Sequence, residues 1–339
     1  MNFASDNVSP FCPEILEALT KDASVNAPAY GGDDLSQQLD AAFSELFDKE
    51  VAVIPVATGT AANCISLSAL VSPYGGVVCH HEAHINEDES TGVAFFTGGA
   101  KLLPMDGPAA KLEADGLDGF VSGLVERGVH SVSPECVAIT QATELGAVYT
   151  VDDVKAIGEV CRKHDLCLFM DGARFANAMA HLKCRPADVT WKAGVDAISF
   201  GATKNGAMAV DAIVLFDTSL KLRIEQARKR SGHLHSKHRY LATQLLAYIK
   251  DDVWLKNAAH ANAAAQALAD VLIKQGATLT HAAEGNELFV KMSPELAGKL
   301  RDVGLMFHGW PSLGADVYRF VAAWNADIVQ ITKLNTTLG

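Results

Sequence analysis

The chain has seven cysteines, an odd number, and none forms a Cys-x-x-Cys pair. Neither a disulfide framework nor a paired-thiol zinc or redox motif is therefore expected. Thiols scattered in this way fit a reduced, cytoplasmic setting. No uncharged apolar run reaches the roughly 18 residues a membrane helix needs. The start, MNFASDNVSPFCPEILEAL, lacks the basic opening and apolar stretch of a signal peptide. Neither export nor a membrane span is expected. Basic residues are in deficit: 28 Lys and Arg against 40 Asp and Glu leave a net charge of −12. That balance repels a phosphate backbone and argues against nucleic acid as a partner. Walker and GxGxxG sequences, a fixed-period repeat and a Gly/Ser or Pro linker are also missing, which weakens triphosphate, dinucleotide and repeat readings.

What is present is globular: 339 residues, 49% hydrophobic and 20% charged, a length suited to one large domain and a smaller one. Short apolar runs at 51–56, 77–80, 101–105, 136–141, 166–170, 197–200 and 212–216 alternate with amphipathic stretches such as 151–164. Most lack a polar residue at every second position, as strands buried on both faces do. The pattern predicts an α/β fold with a seven-stranded, mostly parallel sheet sandwiched by helices. After residue 216 the pattern turns to helices at 219–230, 236–251 and 254–275, the last rich in alanine, which favours helix. Strands at 287–292 and 317–322, with helices beginning near Pro294 and Ala326, suggest a smaller α+β domain. The division expected is 1–250 for the large domain, with its first residues returning to the site, and 251–339 for the smaller one.

Three segments carry chemistry. In LCLFMDGAR, at 166–174, Asp171 ends a strand at the carboxyl edge of the sheet, where open α/β sheets bind ligands; taken alone it is equally a helix cap. In AISFGATKNGA, Lys204 follows another strand among small residues, a setting that makes an amine nucleophilic toward carbonyls; alone it reads as a solvated loop lysine. In VATGTAANCISLSAL, Thr58, Gly59 and Thr60 lie between a strand and a helix, where free backbone amides suit a phosphate monoester or an ordinary cap. Together, an anion cradle, a carboxylate and a nucleophilic lysine are what pyridoxal 5'-phosphate needs.

With FASDN at 3–7, AYGGD at 29–33, TGTAAN at 58–63, EAHIN at 82–86, DGAR at 171–174, ATKNG at 202–206 and YRFVAAW at 318–324 in that order, the chain resembles the low-specificity L-threonine aldolases. These belong to the aspartate-aminotransferase-like family of pyridoxal-phosphate enzymes. The resemblance implies that Lys204 forms the Schiff base with the cofactor, that Asp171 pairs with its ring nitrogen and that Gly59 and Thr60 hold its phosphate. His84 matches a histidine that stacks on the ring and helps move the β-hydroxyl proton. Ser5, Arg174 and Arg319 match positions near the substrate carboxylate or the cofactor hydroxyl, and Tyr30 matches a tyrosine lining the site. It also implies a fold type I enzyme with a C-terminal small domain, and a homo-oligomer, dimer or tetramer, whose chains share active sites.

Two segments depart from the common pattern. RKRSGHLHSKHR, at 228–239, keeps a basic Lys229 that matches one reaching a neighbouring subunit's phosphate, but has Ser236 where an arginine is usual, with Lys237 as the substitute. QATELG, at 141–146, stands where many relatives carry Asn-Thr-His-Asn, so the proton-moving residue is expected to be His84 or, second, His81. No metal is expected. HHEAH, at 80–84, has its glutamate misplaced for HExxH, and His233, His235 and His238 stand among cations.

The reaction implied is retro-aldol cleavage of an L-3-hydroxy-amino acid such as threonine or allo-threonine to glycine and an aldehyde, with Arg319 clamping the substrate carboxylate. A β-eliminating lyase or an aminotransferase on the same fold is the nearest alternative, and a non-catalytic scaffold is a third.

Overall fold

The computed structural model describes residues 1–125 and 127–338. Seven strands form the large sheet: β1 (Ala52–Val56), β2 (Gly75–His80), β3 (Lys101–Met105), β4 (Ser133–Thr140), β5 (Cys167–Gly172), β6 (Ala197–Gly201) and β7 (Asp211–Leu215). Their order is β1-β7-β6-β5-β4-β2-β3. Only β7 runs antiparallel to its neighbours, so the carboxyl ends of the other six and the start of β7 share one edge. Proline stands inside the two outer strands, at Pro55 of β1 and Pro104 of β3, and in an inner strand only near its start, at Pro134 of β4, where a missing N–H is tolerated.

The sheet faces two separate apolar cores. Val53, Val78, Val137, Met170 and Phe200 point to one, Ile54, Val77, Ala138, Phe169 and Ile213 to the other. Apolar residues therefore stand at consecutive positions through most of β1 and the inner strands, which is why these strands read as unbroken runs. Asp171 falls on the same side as Phe169 by the two-residue period of a strand. That side is covered by the helix Gly59–Leu70, which packs into the second core.

A second sheet, β8 (Thr278–Leu279), β9 (Glu287–Lys291), β10 (His308–Gly309) and β11 (Val317–Val321), has the order β10-β11-β9-β8. The helix Val253–Lys274 joins the two layers: Val253, Trp254 and Ala258 belong to the large core, Ala264 to Leu272 to the small one. The N-terminal segment packs on the small sheet. Phe3 lies in the small core, its N–H donating to Met306 O at 2.8 Å, and Val321 N–H donates to Phe3 O at 2.8 Å. No helix among the described residues is long and apolar enough to cross a membrane.

Candidate active site

A cavity of about 270 Å³ opens at the carboxyl edge of the sheet, and Thr58, Gly59, Thr60, His84, Asp171, Arg174 and Lys204 all line it. They come from four strand ends and the turns that follow them: Thr58, Gly59 and Thr60 after β1, His84 after β2, Asp171 and Arg174 at β5, and Lys204 after β6. A larger recess of about 860 Å³ lies among surface helices and contains none of the residues singled out above.

Asp171 is not the cap of the next helix: that position is held by Arg174. Its Oδ1 accepts from Ala173 N–H at 2.9 Å and from the Ser199 hydroxyl at 3.4 Å, and its Oδ2 accepts from Asn63 Nδ2 at 2.7 Å. The carboxylate is thus fixed at both oxygens. At Thr58, the side chain takes the N–H of Ala61 at 3.1 Å. The N–H groups of Gly59 and Thr60, in the first helical turn, are left for an anion.

Lys204 sits in a single turn, Thr203–Asn205, after β6. Both neighbours pin it. Asp211 Oδ1 accepts from Ala202 N–H at 2.8 Å and Thr203 N–H at 3.2 Å. Asn205 Nδ2 donates to Tyr248 Oη at 2.7 Å and Trp254 O at 2.8 Å.

The three histidines of HHEAH diverge. His80 bonds backbone, accepting from Glu82 N–H at 3.0 Å through Nδ1 and donating to Gly107 O at 3.1 Å through Nε2. His81, expected as a second proton carrier, lies outside the cavity lining and pairs with exposed Asp106 at 3.3 Å. His84 enters the cavity. Its Nδ1–H donates to fully buried Glu89 at 2.8 Å, since a carboxylate can only accept. That fixes the tautomer and leaves Nε2 for a ligand. The Glu89 bond holds the imidazole above its ordinary pKa, against the opposing effect of burial. Asn63 Nδ2 also donates to Glu89 at 2.8 Å, so His84, Glu89, Asn63 and Asp171 form one hydrogen-bonded chain.

Arg174 has partners that the sequence did not reveal. Its Nε and Nη2 donate to Asp6 at 2.8 and 3.0 Å, and its Nη1 meets Glu287 at 3.1 Å. The guanidinium ties the N-terminal segment to β5 and β9. Arg319 lies outside the cavity lining, over the Trp310 ring at 4.7 Å, and donates to Ala4 O at 3.2 Å. Ser5 accepts from Asn7 N–H at 3.1 Å, and Asn7 rather than Ser5 lines the cavity. Tyr30, Lys229 and Lys237 are exposed and also outside it. They belong to one surface: Tyr30 N–H donates to Ser236 O at 2.9 Å, and Lys229 Nζ stands 4.9 Å from the Tyr30 ring centre.

Sequence reasoning missed Asn63, Glu89, Glu144 and Asp211. The only local hint of Asn63 was its place one turn after Gly59. For Glu144 the hint was an acidic residue inside the aberrant QATELG.

The beta-eliminating lyase family's model matches residues 2–295. The chain is 38% identical over 333 residues to the low specificity L-threonine aldolases of Pseudomonas sp. (strain NCIMB 10558) and Pseudomonas aeruginosa, covering 98% of this chain and 95% of each relative. A Leishmania major threonine aldolase structure superposes with a TM-score of 0.92 at 26% identity, covering 99% of this chain and 98% of that one. The chain belongs to the beta-eliminating lyase family, in its branch of low-specificity L-threonine aldolases.

Proposed function

We propose that this protein is a carbon–carbon lyase that uses pyridoxal 5'-phosphate to cleave L-threonine, L-allo-threonine and related L-3-hydroxy-amino acids to glycine and an aldehyde. The observation that carries the reading is the convergence of Lys204, Asp171 and the free Gly59 and Thr60 amides on one cavity. These residues fit the cofactor: an amine for its aldehyde, a doubly fixed carboxylate for its ring nitrogen and an anion cradle for its phosphate. When bound, the cofactor supplies an electron-withdrawing ring that takes up the pair released as Cα–Cβ breaks.

The chain's own residues do the rest. Lys204 holds the cofactor and gives way to the substrate amine. Asp171, locked by Asn63, Ser199 and Ala173, favours the cationic ring nitrogen. His84 stands over the site with Nε2 available to the β-oxygen. Arg319 is assigned the substrate carboxylate, and Arg174 the linking of the N-terminal segment to the site.

Exposed Tyr30, Lys229 and Lys237 support a homo-oligomer, dimer or tetramer, in which they complete a neighbouring chain's site. Seven free cysteines support a cytoplasmic setting. The test is Lys204→Ala. We expect the yellow absorption of bound pyridoxal phosphate and the release of glycine and acetaldehyde from threonine both to vanish; full turnover by the variant would remove the mechanism. Assay of ammonia and keto acid separates β-elimination and transamination.

A further inference from the structure

QATELG, the segment that breaks the usual pattern, contributes a carboxyl group to the cavity. Glu144 lines it beside His84, Asp171 and Lys204, at the tip of a turn that leaves little freedom. Gly146 N–H donates to Thr143 O at 2.8 Å, and Thr143 N–H to Ala147 O at 2.8 Å. Gln141 closes the base, accepting from Tyr149 N–H and donating to Tyr149 O, both at 2.9 Å. Gly146 has φ +77°, and a Cβ there would stand 3.0 Å from Glu287 O. The turn is therefore held in place by the small sheet.

One Glu144 oxygen is occupied. Oε1 accepts from His84 N–H at 2.9 Å and from the Thr140 hydroxyl at 2.7 Å. Oε2 is buried with no hydrogen-bond partner. A buried carboxyl oxygen without a partner is costly unless it carries or receives a proton. Burial pushes the Glu144 carboxyl up to about 7, with the Asp171 charge adding to the rise and the Thr140 and His84 bonds opposing it. Arg174, Cys79 and Tyr149 are the other ionisable groups near enough to interact with it.

His84 leaves a role open. The Glu89 bond favours its cationic form, and in that form Nε2–H donates to the substrate's β-oxygen and accepts nothing. The hydroxyl proton then needs another acceptor.

We propose that Glu144 is that acceptor, a second acid–base residue of the aldol cleavage. The inference deepens the reading given above and rests on it. The Glu144 carboxylate takes the β-hydroxyl proton as C–O becomes C=O and Cα–Cβ breaks. The electron pair of the broken bond is left at Cα, where the cofactor would supply the electron sink. One proton returned to Cα gives glycine, and the aldehyde leaves, so threonine is divided with no other reactant consumed.

The experiment compares wild type, Glu144→Gln and Glu144→Asp. Glutamine retains the acceptor for His84 N–H and Thr140 but cannot take a proton. We expect kcat for L-threonine to fall roughly 10²–10⁴-fold in Glu144→Gln, as for loss of a general base, with KM and cofactor absorption retained. We expect wild-type kcat/KM to rise with pH through about 7, and this limb to be absent in Glu144→Gln and kept, at reduced kcat, in Glu144→Asp. A readout without cofactor is thermal melting of the apo protein. A carboxyl raised by folding loses stabilisation as pH rises through its folded value, so wild type loses stability between its ordinary range and about 7, and Glu144→Gln does not. Turnover of Glu144→Gln within about threefold of wild type, too small for a lost general base, overturns the proposal; so does loss of cofactor binding in that variant, which marks a structural role. Wild-type protein that neither holds pyridoxal phosphate nor cleaves threonine overturns the underlying reading instead.

Discussion

Replacing Arg174 with leucine asks whether its guanidinium is a strut or a substrate clamp. In the structure the side chain is 12% exposed and meets Asp6 and Glu287, each 1% exposed. Removing one member of such a buried set leaves uncompensated charge and costs about 3–5 kcal/mol. Two details place the loss near the lower end of that range. Asp6 keeps the Asn286 amide at 3.1 Å, and Glu287, already raised by burial against the pull of Arg174, takes a proton rather than stay charged. The pH dependence follows from Asp6. Burial raises its pKa, but the Arg174 charge and hydrogen bond, the Lys204 charge and the Asn286 amide together outweigh it, so the folded value lies below the ordinary one. Its stabilisation is present above the unfolded pKa and lost as pH falls through the folded value. The deficit of Arg174→Leu is therefore greatest near neutral pH and shrinks in acid. Urea unfolding of the apo protein at pH 7 and pH 4 measures both, since the transition midpoint reports the change while the slope stays constant. Adding Asp6→Asn to Arg174→Leu should recover part of the loss, because it removes the stranded charge. A deficit under about 1 kcal/mol at pH 7, as for an exposed pair, together with a raised KM for threonine, would refute the strut and return Arg174 to the substrate.

Glu89→Gln keeps an acceptor for His84 and Asn63 but removes the charge, so His84 loses the main cause of its raised pKa. Its titration, followed by proton NMR of the ring, should move to lower pH; an unmoved curve would mean that Glu89 does not act on His84. Gly158→Ala should destabilise the fold by about 1–3 kcal/mol, the usual cost of overpacking, because a Cβ at Gly158 overlaps the carbonyl of Ala193. Thermal melting reads this, and an unchanged midpoint would mean the helix can shift outward freely.

All seven strands of the large sheet were legible in the sequence, β1 and the inner ones because their runs are apolar on both faces and edge strand β3 from its short run at 101–105. The two-residue strands β8 and β10 were not, since two residues carry no period. Lys204 and Asp171 were legible for a related reason: a reactive side chain that ends an apolar run and precedes small residues stands out locally. Glu89, Glu144, Asp6 and Glu287 gave no such signal. Their roles come from partners far along the chain, as when Asp6 accepts from Asn286, 280 residues away, or Glu144 from His84 N–H, 60 residues away. Spacing alone could not separate His80, His81 and His84 either, because it is the acceptor offered to each ring that decides its use.

The distribution of charge around the cavity connects the site with the chain's acidic balance. Asp171, Glu144 and Asp211 line it, with Glu89 just behind His84, against Lys204, His84 and Arg174. Arg174 is already engaged by Asp6 and Glu287. Asp211 lies beside the anion cradle, its Oδ2 within 3.7 Å of where a Gly59 Cβ would stand. A phosphate held there gains from the two free amides and the helix N-terminus, but it also faces a carboxylate. Of the cations in the cavity, Arg174 is engaged and Lys204 is assigned to the cofactor's aldehyde in the reading above. Lys229 and Lys237 are exposed on another surface of the same chain, and the homo-oligomer proposed above would bring that basic surface to a neighbouring chain's phosphate site.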